Sequence, residues 1–90
     1  MMNLRSLRCF LAVAEELHFG RAAKRLALSQ PPLTQHIKNL ELAVGAVLFH
    51  RTKRSVRITD AGTALLDEAR RLIAQAIRQQ ADKVLAKHRK

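Results

Sequence analysis

Two consecutive prolines, Pro31 and Pro32, constrain this chain more than any other feature. Proline lacks an N–H and fixes φ, so it breaks a helix interior yet is accepted in a helix's first turn. The residues that follow are helical in pattern: Leu33, Ile37, Leu40 and Val44 share one face, and Gly45 stops it. Ser29-Gln30-Pro31-Pro32 therefore opens a helix over about 30–44. Ser29 is the N-cap by residue type, its hydroxyl an acceptor for an N–H of the first turn. At about 100° per residue, Pro31, Thr34, Gln35 and Lys38 fall opposite the apolar face, with Gln30 at its edge.

Upstream, Leu4, Leu7, Phe10, Leu11, Ala14 and Leu17 recur at helical spacing and predict a first helix over about 4–17, with this stripe as core. Gly20 punctuates the chain. Arg21 to Leu26 predicts a short second helix, with Ala22, Ala23 and Leu26 inward. Its small alanines allow another helix to cross closely. Ala27-Leu28-Ser29 is the break before the proline-led helix. Two helices joined by so short a turn, the second with a polar outer face, describe a helix-turn-helix.

The period changes after Gly45. Val47-Leu48-Phe49 is apolar, Lys53-Arg54-Ser55 reads as a turn, and Val56-Arg57-Ile58 alternates. This predicts a two-stranded ribbon with a basic tip. Thr59 then caps a fourth helix, with Asp60 favourable in its first turn. No proline follows, and Gly62 is the last glycine, so the helix runs to about Lys87. Such a helix of about 28 residues is roughly 42 Å long. Its apolar stripe (Leu65, Leu66, Ala69, Leu72, Ile73, Ala76, Ile77, then Val84 and Leu85) outreaches a core built from residues 1–58. The same helix of a second chain is the simplest cover, so Leu65, Leu66, Ala69, Leu72, Ile73, Ala76 and Ile77 form the expected dimerisation set. The expected division is residues 1–58 as one domain and 59–90 as a linker helix.

Charge points to the partner. The chain of 90 residues carries 17 Lys and Arg against 7 Asp and Glu, a formal net charge of +10. Within residues 18–57, Arg21, Lys24, Arg25, Lys38, Arg51, Lys53, Arg54 and Arg57 face Glu41 alone. A one-sign block inside a folded segment is a polyanion footprint, whereas a solubility charge is spread and mixed. A hydrophobic content of 48% excludes a disordered basic tail. Aromatics at 3% argue against base stacking on single strands. The lone Cys9 excludes a disulfide framework and a cysteine zinc site, and belongs to the core. The longest apolar run, Cys9 to Ala14, is too short to cross a bilayer, and the start lacks the features of a signal peptide. His18, His36, His50 and His88 lie on different elements at no metal-ligand spacing, and no glycine-rich phosphate loop is present. Neither a catalytic site, a metal site nor a cofactor is expected.

The third helix has the chemistry to read duplex DNA. A glutamine amide pairs with adenine, threonine meets a base edge or a thymine methyl, and lysine reaches guanine or phosphate. Pro31 and Pro32 offer apolar contacts to thymine methyls. Ser29 and the first-turn N–H groups suit a phosphate. Arg51, Lys53 and Arg54 place positive charge at the ribbon, where a minor groove or the backbone would lie. The expected DNA-binding set is thus Ser29, Gln30, Pro31, Pro32, Thr34, Gln35, Lys38, Arg51, Lys53 and Arg54. Two rivals remain: an architectural protein that binds duplex without sequence preference, and an interaction or membrane-surface protein using residues 60–90. The amide-rich helix face favours the first reading. The mixed charges Asp67, Glu68, Arg70 and Arg71 suit a protein partner better than lipid.

Several runs resemble the N-terminal domain of LysR-type transcriptional regulators. They are Leu4-Arg5-Ser6-Leu7-Arg8-Cys9-Phe10, Phe19 to Leu26, Leu28 to Ile37, Leu40-Glu41, Gly45 to Arg51, and Val56 to Gly62. The resemblance covers about residues 2–75 in unbroken order. It implies a mainly α fold: a winged helix-turn-helix of three helices and a two-stranded wing, followed by a long linker helix that dimerises antiparallel. It implies a cytoplasmic, nucleoid-associated bacterial protein that binds an inverted-repeat operator. It places Gln30, Pro31, Pro32, Thr34 and Gln35 where the family contacts bases and phosphates, and Arg54 on the wing arginine. Residues 30–44 would enter the major groove and wing 51–57 the flanking minor groove. There are departures. Thr34-Gln35 stands where the family commonly has Ser then Arg, and Leu42-Ala43 replaces a usually acidic pair, leaving Leu42 exposed. Family members are much longer, so a small-molecule effector belongs to a C-terminal domain missing from this chain. Met1 reads as an extra residue ahead of a native-like start at Met2.

Overall fold

A computed structural model describes residues 3–88. The reading of Met1 and Met2 and the last two residues of the expected 59–90 segment lie outside these. The element order is α1 (Leu4–Glu16), α2 (Phe19–Arg25), α3 (Gln30–Val44), β1 (Phe49–Arg51), β2 (Val56–Ile58) and α4 (Asp60–His88). The strands pair antiparallel, with Phe49 opposite Ile58, His50 opposite Arg57 and Arg51 opposite Val56.

Helix α1 starts where Asn3 Oδ1 accepts the Ser6 N–H at 2.8 Å. It ends at Leu17, which turns left-handed (φ 48°) while its N–H donates to the Val13 carbonyl. The buried face is Ser6, Cys9, Phe10, Ala12 and Val13. This corrects the expected stripe by roughly a third of a turn. Phe10 alone of that stripe is fully buried; Leu4 is 65% exposed and Leu17 43%. The cause is close packing: small Ser6, Cys9 and Ala12 let the neighbouring helices approach, and the larger leucines are left at the flank.

Helix α2 begins earlier than the sequence pattern predicts. His18 is its N-cap, with Nδ1 accepting the Arg21 N–H at 2.9 Å. Gly20 lies inside the helix, where a Cβ would sit 2.8 Å from His18 Cε1. Ala22 and Ala23 are buried as expected, and Leu26 packs against the core. The turn to α3 passes through Ala27 at φ 55°.

Helix α3 has the expected bounds. Leu33, Ile37 and Leu40 are buried, whereas Val44, expected on that face, is 38% exposed because the helix outruns the core before Gly45 ends it at φ 74°. The Ser29 expectation is also corrected. Ser29 occupies the cap position, but its side chain makes no capping hydrogen bond. A cap accepts from the second or third helical N–H. Those positions are Pro31 and Pro32, which have none.

Thr59 does cap α4: its Oγ1 accepts the Gly62 N–H at 2.9 Å and its hydroxyl donates to the Val47 carbonyl at 2.7 Å. The core of α1–α3 is closed by Leu48 and Phe49 from the wing and by Leu65 and Leu66 from α4. Farther along, α4 leaves the body, and the molecule measures 57 × 26 × 20 Å. Among the described residues no helix is long and apolar enough to cross a membrane.

Candidate nucleic-acid interface

The exposed face of α3 carries Gln30, Pro31, Pro32, Gln35 and Lys38, with Ser29 just before it and Thr34 half-buried among them. Gln35 and Asn39, one turn apart, are joined: Gln35 Nε2 donates to Asn39 Oδ1 at 2.8 Å. The sequence argument missed Asn39. The signal was there, since a residue four places from Gln35 must share its face.

Arg51 joins this face to the wing. Its Nη2 donates to Gln30 Oε1 and its Nη1 to Thr34 Oγ1, both at 3.4 Å. The guanidinium lies 4.0 Å from the Phe19 ring centroid. Phe19 in turn meets Phe49 edge-on at 6.4 Å, and Phe49 meets Phe10 at 5.5 Å. An unbroken stack thus runs from the core to the arginine.

The wing tip is a tight turn. Thr52 Oγ1 accepts the N–H groups of Arg54 and Ser55 at 3.2 and 3.0 Å. This leaves Lys53 and Arg54 exposed at the apex. The other end of the wing is held by Glu41, whose Oε2 accepts the Leu48 N–H at 2.7 Å. Glu41 entered the sequence argument only as the acid within a basic block; its structural use depends on a fold contact seven residues away.

Electrostatics refine the expected block of charge. Arg21 pairs with Glu16 at 3.4 Å, and Arg25 with Glu15 at 2.6 Å and Glu16 at 3.5 Å. Arg70 also approaches Glu15 at 3.5 Å. The Arg25 hydrogen bond, against a smaller opposing effect of burial, holds the Glu15 carboxyl below its usual range. Glu15 and Glu16 thus offset two of the three positive charges of Arg21, Arg25 and Arg70. Among the described residues, Lys24, Lys38, Lys53, Arg54 and Arg57 have no carboxylate within ion-pairing distance. Burial pushes the Cys9 thiol up, in keeping with its place in the core.

The expected dimerisation set divides in two. Ala69 is fully buried, and Leu65 and Leu66 pack on the core of their own chain. Ala69 is therefore removed from the open surface, because α1 crosses α4 there. Leu72, Ala76 and Ile77 are exposed and Ile73 is half-buried. Val84 and Leu85 are exposed as well.

A short helix, a four-residue turn, a helix with a free polar face and a basic two-stranded wing beside it define a winged helix-turn-helix domain. The profile described as "Bacterial regulatory helix-turn-helix protein, lysR family" matches residues 4–63. The HTH-type transcriptional regulator XapR of Escherichia coli (strain K12) is 61% identical over 74 residues, which are 82% of this chain and 25% of that protein. AlsR of Bacillus subtilis (strain 168) is 55% identical over 74 residues, 82% of this chain and 24% of its own. The CbnR DNA-binding domain, solved in complex with DNA, superposes with a TM-score of 0.87 at 43% identity, covering 98% of this chain and 100% of that one. The BenM DNA-binding domain, solved with catB site 1 DNA, gives 0.86 at 38% identity, covering 94% and 97%. The chain belongs to the LysR family of bacterial helix-turn-helix regulators. It spans about a quarter of the length of these two curated relatives.

Proposed function

We propose that this chain binds double-stranded DNA sequence-specifically, as the DNA-binding module of a LysR-type transcriptional regulator. One observation carries the reading: the solvent face of α3 presents Gln30, Thr34, Gln35 and Lys38 directly beside a wing whose apex is Lys53-Arg54. Amides and a hydroxyl on a helix suit base edges, and exposed cations at its flank suit phosphates. In this reading α3 enters the major groove and wing 51–57 lies at the adjacent minor groove. Residues 1–58 form the DNA-binding domain and 59–90 the linker helix. Ser29, Pro31 and Pro32 are contact residues by position.

The reading extends to a homodimer on an inverted repeat. Leu72, Ile77, Val84 and Leu85 lie exposed on the part of α4 that leaves the body, and burying them against the same helix of a second copy removes them from water. A two-fold axis through such a pair sets the half-site spacing. The CbnR and BenM DNA-binding domains, both solved with DNA, support the partner. In this reading the protein acts on the nucleoid in the cytoplasm, with any small-molecule effector recognised outside these residues.

Selection of bound duplexes from a random pool at physiological salt tests this. Enrichment of an inverted repeat with fixed spacing is the expected result. Salt-steep retention with no enriched sequence would favour the architectural alternative and overturn the specific reading.

A further inference from the structure

The structure gives Arg51 a role that its charge alone does not suggest, and the inference rests on α3 reading DNA. We propose that Arg51 is a positioning residue that turns Gln30 and Thr34 into readers of hydrogen-bond acceptors, so that α3 favours guanine or thymine over adenine where Gln30 reaches the groove. A guanidinium has donors and no acceptor, and it does not deprotonate. The Gln30 atom that meets Arg51 must therefore be oxygen, as it is, at 3.4 Å. The Gln30 NH2 then lies beside α2, with Nε2 3.4 Å from where a Cβ at Gly20 would sit, and carries the two donor hydrogens. Thr34 Oγ1 likewise spends a lone pair on Arg51, which turns its hydrogen elsewhere.

A glutamine free to rotate offers a donor and an acceptor together, the match for adenine N7 and N6. In Gln30 one of the two lone pairs of the amide oxygen is taken by a fixed cation, which biases the amide toward donation. What it retains matches N7 and O6 of guanine or O4 of thymine. The fork geometry is needed as well, because the two acceptors lie on successive turns of α3 and each takes a different guanidinium nitrogen. Phe19 holds that fork in place from beneath, at 4.0 Å. Gln35 is set differently: one of its two N–H groups is engaged by Asn39, while its oxygen and its second N–H are uncommitted, so it keeps a donor and an acceptor together. Two glutamines on one helix face thus present different chemistry, one biased toward donation and the other mixed.

The test uses Arg51→Lys, which keeps the charge and loses the fork, and Arg51→Met, which keeps an apolar stem over Phe19 and loses the charge. Each is put through duplex selection and a salt titration beside the wild type, with Gln30→Ala identifying the base pair that Gln30 reads. The wild type should prefer guanine or thymine there. Both Arg51 variants should relax that preference by about tenfold while the rest of the motif persists. In a Gln30→Ala/Thr34→Ala background the Arg51→Lys change should have no further effect, and this holds whatever it does to folding stability. An intact motif in Arg51→Lys, with Arg51→Met lowering the salt slope by about one ion, would make Arg51 a phosphate contact and overturn the proposal. A persistent Arg51→Lys effect in the double background would overturn it too. A wild-type chain that enriches no sequence fails one step earlier, at the reading of DNA itself.

Discussion

The guanidinium of Arg51 rests 4.0 Å from the centroid of the Phe19 ring, so the last residue of β1 is seated on the first residue of α2. Phe19 is buried beneath it. The contact ties the wing to the helix-turn-helix by a charge-to-ring attraction of about 0.5–1 kcal/mol at an exposed site. A double-mutant cycle of Phe19→Leu and Arg51→Met, followed by urea unfolding, should return a coupling of about that size. Strict additivity would show that the ring merely lies underneath.

The two helix caps should respond differently to truncation. Ser29→Ala removes a hydroxyl that caps nothing, because Pro31 and Pro32 supply no N–H. Stability should change by less than about 0.5 kcal/mol. Thr59→Ala removes both the bond from the Gly62 N–H and the one to the Val47 carbonyl, and should cost about 1–2 kcal/mol. Midpoints of urea unfolding compare them directly.

Gly62 sits where α4 presses on the wing. A Cβ there would meet the Leu48 carbonyl oxygen and Ile58 Cγ1 closer than atoms pack. Gly62→Ala should destabilise by about 1–3 kcal/mol, in spite of alanine's better helix propensity. A stabilised variant in thermal melting would show that α4 can shift at no cost.

On DNA, Gln35 and Arg54 should separate reading from holding. Gln35→Ala should cost about 1–3 kcal/mol on the preferred duplex and relax its base preference. Arg54→Ala should weaken all duplexes alike and lower the salt slope by about one ion. Fluorescence anisotropy over a salt series checks both. An Arg54→Ala variant with unchanged affinity and slope removes the wing tip from the contact.

Acid should weaken the seam between α1 and α2. The Glu15 carboxyl is held below its usual range by Arg25, so it binds protons less readily folded than unfolded. Its contribution is present above the unfolded pKa and lost as pH falls through the lower folded one. Glu15→Gln should therefore be less stable than wild type near neutral pH, with the gap closing on acidification. Parallel stability curves from neutral pH downward would contradict this.

The pattern of the chain predicted α3 almost to the residue because two hard rules bracket it, proline at the front and glycine behind. The wing and the Thr59 cap were legible for the same reason: turn chemistry is local. The buried face of α1 was not. Leucines outweigh Ser6, Cys9 and Ala12 in any periodicity, yet small residues win the position where helices cross closely. The His18 cap was hidden behind Gly20, which looks like a break and is instead a clearance for the imidazole. The site divides in the same way. Gln30, Thr34 and Gln35 follow from helical spacing. The bridge from Arg51 spans 17 and 21 residues of sequence and exists only once the wing has folded back. Ala69 went astray because one apolar stripe on α4 serves two surfaces in succession.

The paired prolines also decide what kind of front end α3 has. A helix that begins with three free amides is a trap for any passing anion and docks wherever a phosphate stops it. Of the first three positions of α3, only Gln30 retains an N–H. The tip that points forward is a ring of methylenes, indifferent to sulfate, phosphate or the sugar-phosphate rail. Ions in the buffer will therefore contend with Lys38 and the wing but not with the front of the reading helix. Grip and discrimination thus answer to separate solution variables, one to ionic strength and the other to the sequence of the duplex.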